Sequence, residues 1–173
     1  MEYKGGCGYI MNIKKILCAQ KELDDIWMKR ANLTEYPLEM TITAYRVELG
    51  ELLQEWKQFK YWKMNKGEVQ RDEMLKEWAD CMHFALSLDY NNYPLNSTEH
   101  YNEILINHLE KFIKNIETWN IYLILNSCFY VGKVKILENT LKLGLKLGYT
   151  LEELEQAYWK KNKINWERIK NNY

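Results

Sequence analysis

Six acidic residues stand out by type and spacing: Glu48, Glu51 and Glu55 in one stretch, Glu73, Glu77 and Asp80 in another. At about 100° of rotation per residue, steps of three and four put each trio on one face of a helix. Two unit charges about 4 Å apart repel by roughly 4 kcal/mol at an effective dielectric near 20, so converging carboxylates need protons, basic partners or a cation. Oxygen-only ligation points to magnesium, with manganese as a substitute. Magnesium takes few carboxylates, keeps several waters and shares its other positions with phosphate oxygens. For any one of these acids the alternative is a solvated face paired with nearby lysines. As a set they argue against it, because both stretches are otherwise rich in Trp, Leu and Phe and are poor candidates for exposure on several sides.

Holding two acidic faces together takes two long helices folded back on each other. Ile13, Ile16, Leu17, Leu23, Ile26 and Trp27 recur at helical spacing and predict a first helix. Pro37 opens a second, running from Leu38 to about Tyr61. Asn65 and Gly67 interrupt the pattern, and Val69, Met74, Leu75, Trp78, Met82, Phe84 and Leu88 carry a third helix to about Tyr90. These two form a hairpin in which the acidic faces oppose each other. The cluster Asn91, Asn92, Pro94, Asn96, Ser97 predicts a loop, followed by a fourth helix from about Glu99 to Trp119 and a fifth to about Leu147. Gly148 suits a helix C-cap, and Thr150 with Glu153 forms a capping box opening a last helix toward Arg168. The reading is all-α: about six helices in a single domain over residues 1–173, with Gly-rich residues 1–10 flexible and no internal repeat.

Composition removes several function classes. Lys plus Arg equals Asp plus Glu at 24 each, so no global field attracts polyanions and no nucleic-acid partner is expected. Cys7, Cys18, Cys81 and Cys128 lie far apart with no CxxC pair, which excludes a zinc knuckle and a disulfide framework and fits a reducing cytoplasm. No basic, apolar leader opens the chain, and the longest apolar run, around Ile121 to Val131, is short and holds Asn126 and Ser127, so neither export nor a membrane partner is expected. Gly-rich phosphate loops, HExxH and GxSxG are absent from the sequence. His100 and His108 have no second ligand near them in sequence and receive no metal role. Trp27, Trp56, Trp78, Trp119, Trp159 and Trp166 are read as core or interface.

The pattern Glu48-Leu-Gly-Glu51, 25 residues, then Glu77-Trp-Ala-Asp80 resembles the ExxE…ExxD signature of the all-α nucleoside triphosphate pyrophosphatases, which include MazG-like enzymes and the dimeric dUTPases. Residues 55–62 (EWKQFKYW) and 80–88 (DCMHFALSL) resemble the segments that follow the two acidic pairs in dimeric dUTPases. Gln20-Lys21-Glu22-Leu23-Asp24 looks like their first-helix motif, which lines the uracil pocket. Residues 157–168 (AYWKKNKINWER) look like their C-terminal phosphate-closing segment, placed here at 149–173. The resemblance covers about residues 11 to 173. It departs at Ile169, where the family pattern has Gln, and at Asn172, where it has Gly before the last Tyr, Tyr173.

This resemblance implies a four-helix-bundle-like core, a homodimer, and hydrolysis of dUTP, and of dUDP, to dUMP with release of pyrophosphate or phosphate. It implies two or more magnesium ions held by Glu48, Glu51, Glu77 and Asp80, with Glu51 as the general base and Glu48 or Glu55 able to serve from the same face. Gln20 and Asp24 fall in the uracil motif, and Trp62 and His83 pack around base or sugar or else belong to the core. Lys60, Lys161, Asn162, Asn165 and Arg168 fall on the phosphates, where Lys57 and Lys63 could also offset charge and Arg168 can form two parallel hydrogen bonds. A broader MazG-like pyrophosphatase acting on non-standard nucleotides, and a helical protein that only binds a partner, are the two other functions compatible with the sequence.

Overall fold

A computed structural model describes residues 9–92, 98–130 and 135–171 of the chain. They form seven α-helices, namely α1 (Ile13–Arg30), α2 (Leu38–Trp56), α3 (Arg71–Asn92), α4 (Thr98–Lys114), α5 (Ile121–Phe129), α6 (Ile136–Lys146) and α7 (Leu151–Lys170), with one 3-10 turn at Ile116–Thr118. No strand occurs among the described residues. The flexible start expected at 1–10, the loop residues 93–97, the side chain of His100, and Asn172 and Tyr173 lie outside what is described, apart from Tyr9 and Ile10.

The all-α expectation holds, while the helix count rises from about six to seven. The long fifth helix is two: the backbone leaves helical geometry at Tyr130 (φ −84°, ψ 76°), and α6 begins at Ile136. The fourth ends at Lys114 rather than Trp119, because the chain tightens into the 3-10 turn and Asn120 then caps α5 by accepting from the Tyr122 amide at 2.8 Å. The second helix stops at Trp56 rather than Tyr61. Lys57 takes a left-handed conformation (φ 63°) with its amide donating to the Leu53 carbonyl. Two amines then hold the following loop in shape: Lys57 Nζ donates to Glu68 O and Lys66 Nζ to Gln58 O, both at 2.9 Å.

Between α6 and α7 the local rules act as expected. Gly148 turns the chain at φ 92°, its amide reaches Leu145 O and the Tyr149 amide reaches Gly144 O, a Schellman closure. Thr150 Oγ1 then accepts from the Glu153 amide at 3.2 Å while Glu153 Oε2 accepts from the Thr150 amide at 2.7 Å. This corner is clamped to the start of α3. Arg71 stacks over Tyr149 at 4.1 Å and donates to Gly148 O and Glu153, and the Tyr149 hydroxyl donates to Arg71 O at 2.6 Å.

α3 is the central helix, packing against α1, α2, α6 and α7, with its most extensive contact along α2. One core takes side chains from all seven helices, among them Ile16, Tyr45, Trp78, Leu105, Ile124, Leu141 and Leu154. Its polar anchor is Thr140 on α6: the Tyr45 hydroxyl meets Thr140 Oγ1 at 2.9 Å, and Trp78 Nε1 donates to Thr140 O at 2.9 Å. Gly144, one turn on, lets α6 approach that indole. A Cβ there would stand 2.7 Å from Trp78 Nε1 and 2.8 Å from a Leu154 methyl, and both side chains are fully buried. Gly144→Ala is expected to lower unfolding free energy by about 1–3 kcal/mol despite the better helix propensity of Ala, read as a drop in urea midpoint. An unchanged or raised midpoint would show that the indole moves aside without cost.

Candidate active site

The α2–α3 hairpin brings carboxylates from both helices together. Oxygens of Glu48, Glu51 and Glu77 lie within 4.8 Å of one another, with Glu48 and Glu77 half-buried and Glu51 exposed. Burial, then the charges of Asp80, Glu51 and Glu77, pushes the Glu48 carboxyl up to about 7. Burial and then Asp80 raise Glu77 as well, opposed by the Lys76 ammonium 3.8 Å away. Asp80 stands beside the three but is held separately, its oxygens 2.5 and 2.7 Å from Lys161 Nζ on α7. Glu73 turns outward onto Lys76 at 3.1 Å.

This donor set fits a divalent cation. It is all oxygen, its groups repel one another when ionised, and Glu51 leaves an open side for water or phosphate oxygens. Glu48, Glu51 and Glu77 would be the first to hold it, with Asp80 adjacent.

From Glu48 and Asp80 a cleft of about 420 Å³ runs between α1, α2, α3 and α7. Gln20, Asp24, His83, Asn165 and Arg168 line it too, so four helices bring most of the sequence-predicted set to one cavity. At its inner end Gln20 is buried, and its Nε2 donates to Asp24 Oδ1 at 2.8 Å and Ser87 Oγ at 3.1 Å. Asp24 Oδ2 accepts from the Ser87 hydroxyl at 2.5 Å and the Tyr90 hydroxyl at 2.7 Å. Burial raises the Asp24 carboxyl above the ordinary carboxylate range, and these donors offset only part of the rise. His83 is buried and stacked on Tyr158 with ring centroids 4.6 Å apart; neither ring nitrogen has a hydrogen-bond partner, and burial pushes the imidazole down to about 3. It is a neutral ring with one donor and one acceptor, both buried.

Beyond Glu51 and Glu77 of the carboxylate cluster, four expected residues do not line the cleft, and the first of them, Lys161, is tied to it through Asp80. Asn162 is buried, its Nδ2 3.4 Å from the Tyr158 hydroxyl, and does not line the cleft. Lys60 and Trp62 lie in the loop after α2 and do not line the cleft. Lys60 Nζ meets Gln54 Oε1 at 2.5 Å, and Trp62 is 60% exposed, edge-on to Tyr61 and Phe59. Conversely, sequence reasoning passed over Ser87, Tyr90 and Tyr158. A signal for Ser87 exists, since Asp80, His83 and Ser87 stand three and four apart and share one face of α3.

No helix of the described residues is long and apolar enough to cross a membrane. Comparison with curated proteins gives no match. The family model for dUTPase matches residues 12–173, a span that takes in both acidic pairs, the Gln20 end of the cleft and the α7 residues over it. The chain therefore belongs to the dUTPase family and hydrolyses dUTP.

Proposed function

We propose that dUTP lies along the cleft with uracil at the Gln20 end and its phosphates at Glu48, Glu51, Glu77 and Asp80, where magnesium is held. What supports this arrangement is one observation: a single cavity is lined both by the polar network of Gln20, Asp24 and Ser87 and by Glu48, Asp80 and Arg168. When bound, magnesium, with manganese as a substitute, neutralises phosphate charge and lowers the pKa of a coordinated water. Glu51, the exposed member of the cluster, takes the proton from the attacking water in this reading. Lys161, already balancing Asp80, and Arg168, on the cleft wall, hold the phosphate chain, and Asn165 one helical turn before Arg168 adds a donor. dUDP, which keeps base, sugar and two phosphates, is hydrolysed in the same site.

The active form is a homodimer in this reading. Tyr61, Trp62 and Met64 are 87%, 60% and 103% exposed on a loop whose backbone is tied down by Lys57 and Lys66, so a rigid apolar surface faces solvent until a second copy covers it. A mass measurement in solution that gives only monomer overturns this. Cys18, Cys81 and Cys128 as free thiols suit the cytoplasm.

The direct test supplies magnesium and each deoxynucleoside triphosphate in turn and measures pyrophosphate. dUTP is expected to be turned over selectively, and Gln20→Ala to cut the preference for dUTP over dCTP at least about tenfold. Selectivity untouched by Gln20→Ala would remove the base from this end of the cleft.

A further inference from the structure

We propose that Ser87 and Tyr90, acting through Asp24, fix the orientation of the Gln20 amide, and that this makes the inner end of the cleft accept a base with a ring N–H and reject one with a ring lone pair. The inference rests on the placement of uracil at the Gln20 end.

A glutamine amide has an oxygen that accepts and a nitrogen with two hydrogens to donate, and the two ends are nearly the same size. Its neighbours, not its shape, decide which end points where. Both hydrogens of Gln20 Nε2 are committed, one to Asp24 Oδ1 at 2.8 Å and one to Ser87 Oγ at 3.1 Å. Ser87 has one hydroxyl hydrogen and two acceptors in reach, Asp24 Oδ2 at 2.5 Å and its own helix's His83 O at 3.1 Å. The shorter, charged contact takes the hydrogen, which leaves Ser87 Oγ facing Gln20 as an acceptor. Tyr90 adds its hydroxyl to the same carboxylate oxygen at 2.7 Å. Turning the amide over would set Gln20 Oε1 against a carboxylate and a hydroxyl lone pair and lose both hydrogen bonds, so the orientation is enforced from behind.

The free end of Gln20 is then its oxygen. Oε1 has only a long contact, 3.4 Å, from the Tyr158 hydroxyl, which also reaches Ile16 O at 3.2 Å. Toward a ligand Gln20 can accept and cannot donate. The N3–H of uracil satisfies that oxygen. Cytosine presents a lone pair at N3, so the same oxygen would face an acceptor in a buried site, the mismatch by which polar pockets reject near-isosteric ligands most strongly.

The experiment compares kcat and KM for dUTP and dCTP in the wild type, Ser87→Ala, Ser87→Thr, Tyr90→Phe and Gln20→Ala. The dUTP:dCTP ratio of kcat/KM is expected to fall about tenfold in Ser87→Ala and about threefold in Tyr90→Phe. The loss should sit in KM, and Ser87→Thr, which keeps the hydroxyl, should restore the ratio. A packing role for Ser87 would move stability and leave the ratio alone. If the ratio stays within twofold of wild type in Ser87→Ala and Tyr90→Phe while Gln20→Ala collapses it, the orienting role is wrong and the base placement stands. If Gln20→Ala leaves it unchanged too, the base placement fails and takes this inference with it. Should Ser87→Ala not fold, Tyr90→Phe, which keeps ring and volume, decides the same question.

Discussion

Glu77→Gln is expected to lower dUTP turnover at least about 100-fold and, in the same protein stripped of metal, to raise unfolding free energy by on the order of 1 kcal/mol. The two effects have one origin. Glu48, Glu51 and Glu77 bring oxygens within 4.8 Å, and burial together with mutual repulsion lifts both Glu48 and Glu77 above the ordinary carboxylate range. Without a cation, ionised Glu48 and Glu77 destabilise the fold; the exposure of Glu51 and the nearby Lys76 keep that penalty small. A neutral amide at position 77 relieves it and, in the proposed site, removes a metal ligand. Asp80→Asn, one turn along α3, should do the opposite to stability. Asp80 holds Lys161, whose side chain is only 11% exposed, at 2.5 Å, and losing that partner is expected to cost roughly 2 kcal/mol, below the 3–5 kcal/mol of an isolated buried pair because Glu48 and Glu77 remain near the ammonium. Urea unfolding in chelator and in magnesium reads both predictions: magnesium should raise the wild-type midpoint and leave Glu77→Gln nearly unmoved. If Glu77→Gln destabilises the metal-free protein as Asp80→Asn does, the cluster is not a set of repelling ligands, and these acids are ordinary surface groups.

Those opposite signs show where sequence reading reaches and where it stops. Steps of three were enough to align Glu48 with Glu51 and Glu77 with Asp80, since helical periodicity is local. That Asp80 belongs to Lys161 while the other three face each other depends on how α7 crosses α3, which no local pattern carries. The corner at Gly148, Thr150 and Glu153 was readable because a positive φ and a capping box are both signalled by residue type. The end of α2 was not. Lys57 carries the left-handed turn without being Gly or Asn, and Phe59, Tyr61 and Trp62 prolong the apolar rhythm past it. Reading the helix through to Tyr61 hides the loop that carries Lys60 and Trp62 away from the cleft. Ser87 and Tyr90 acquire meaning only through Asp24, more than 60 residues earlier, so their contribution was hidden until α1 and α3 were seen side by side.

Acid should expose the cost of keeping His83 neutral. In the unfolded chain an imidazole titrates near 6.5; in the fold, burial first and the charge of Lys161 second bring His83 down to about 3. The sign follows from proton counting: between these values the unfolded state binds a proton that the native state refuses. His83's contribution to stability is therefore complete above about 6.5 and is lost as pH falls toward 3, at about 1.4 kcal/mol per pH unit once the unfolded imidazole is charged. Raised carboxyls at Glu48, Glu77 and Asp24 act in the opposite direction, binding protons in the fold first, and so flatten the wild-type curve. The clean measurement is a difference. His83→Phe keeps a ring stacked on Tyr158 and removes the titration, so unfolding free energies of wild type and variant in chelator at pH 7, 6 and 5 should converge or cross as pH falls, with the wild type losing ground. Parallel curves would mean that the imidazole takes its proton inside the fold, and that the inner cleft is wetter than its two unpartnered ring nitrogens indicate. The functional stake is the same proton. A neutral ring keeps one donor and one acceptor, whereas an imidazolium carries donors alone and would add a buried charge to the wall of the cleft that Gln20 also lines.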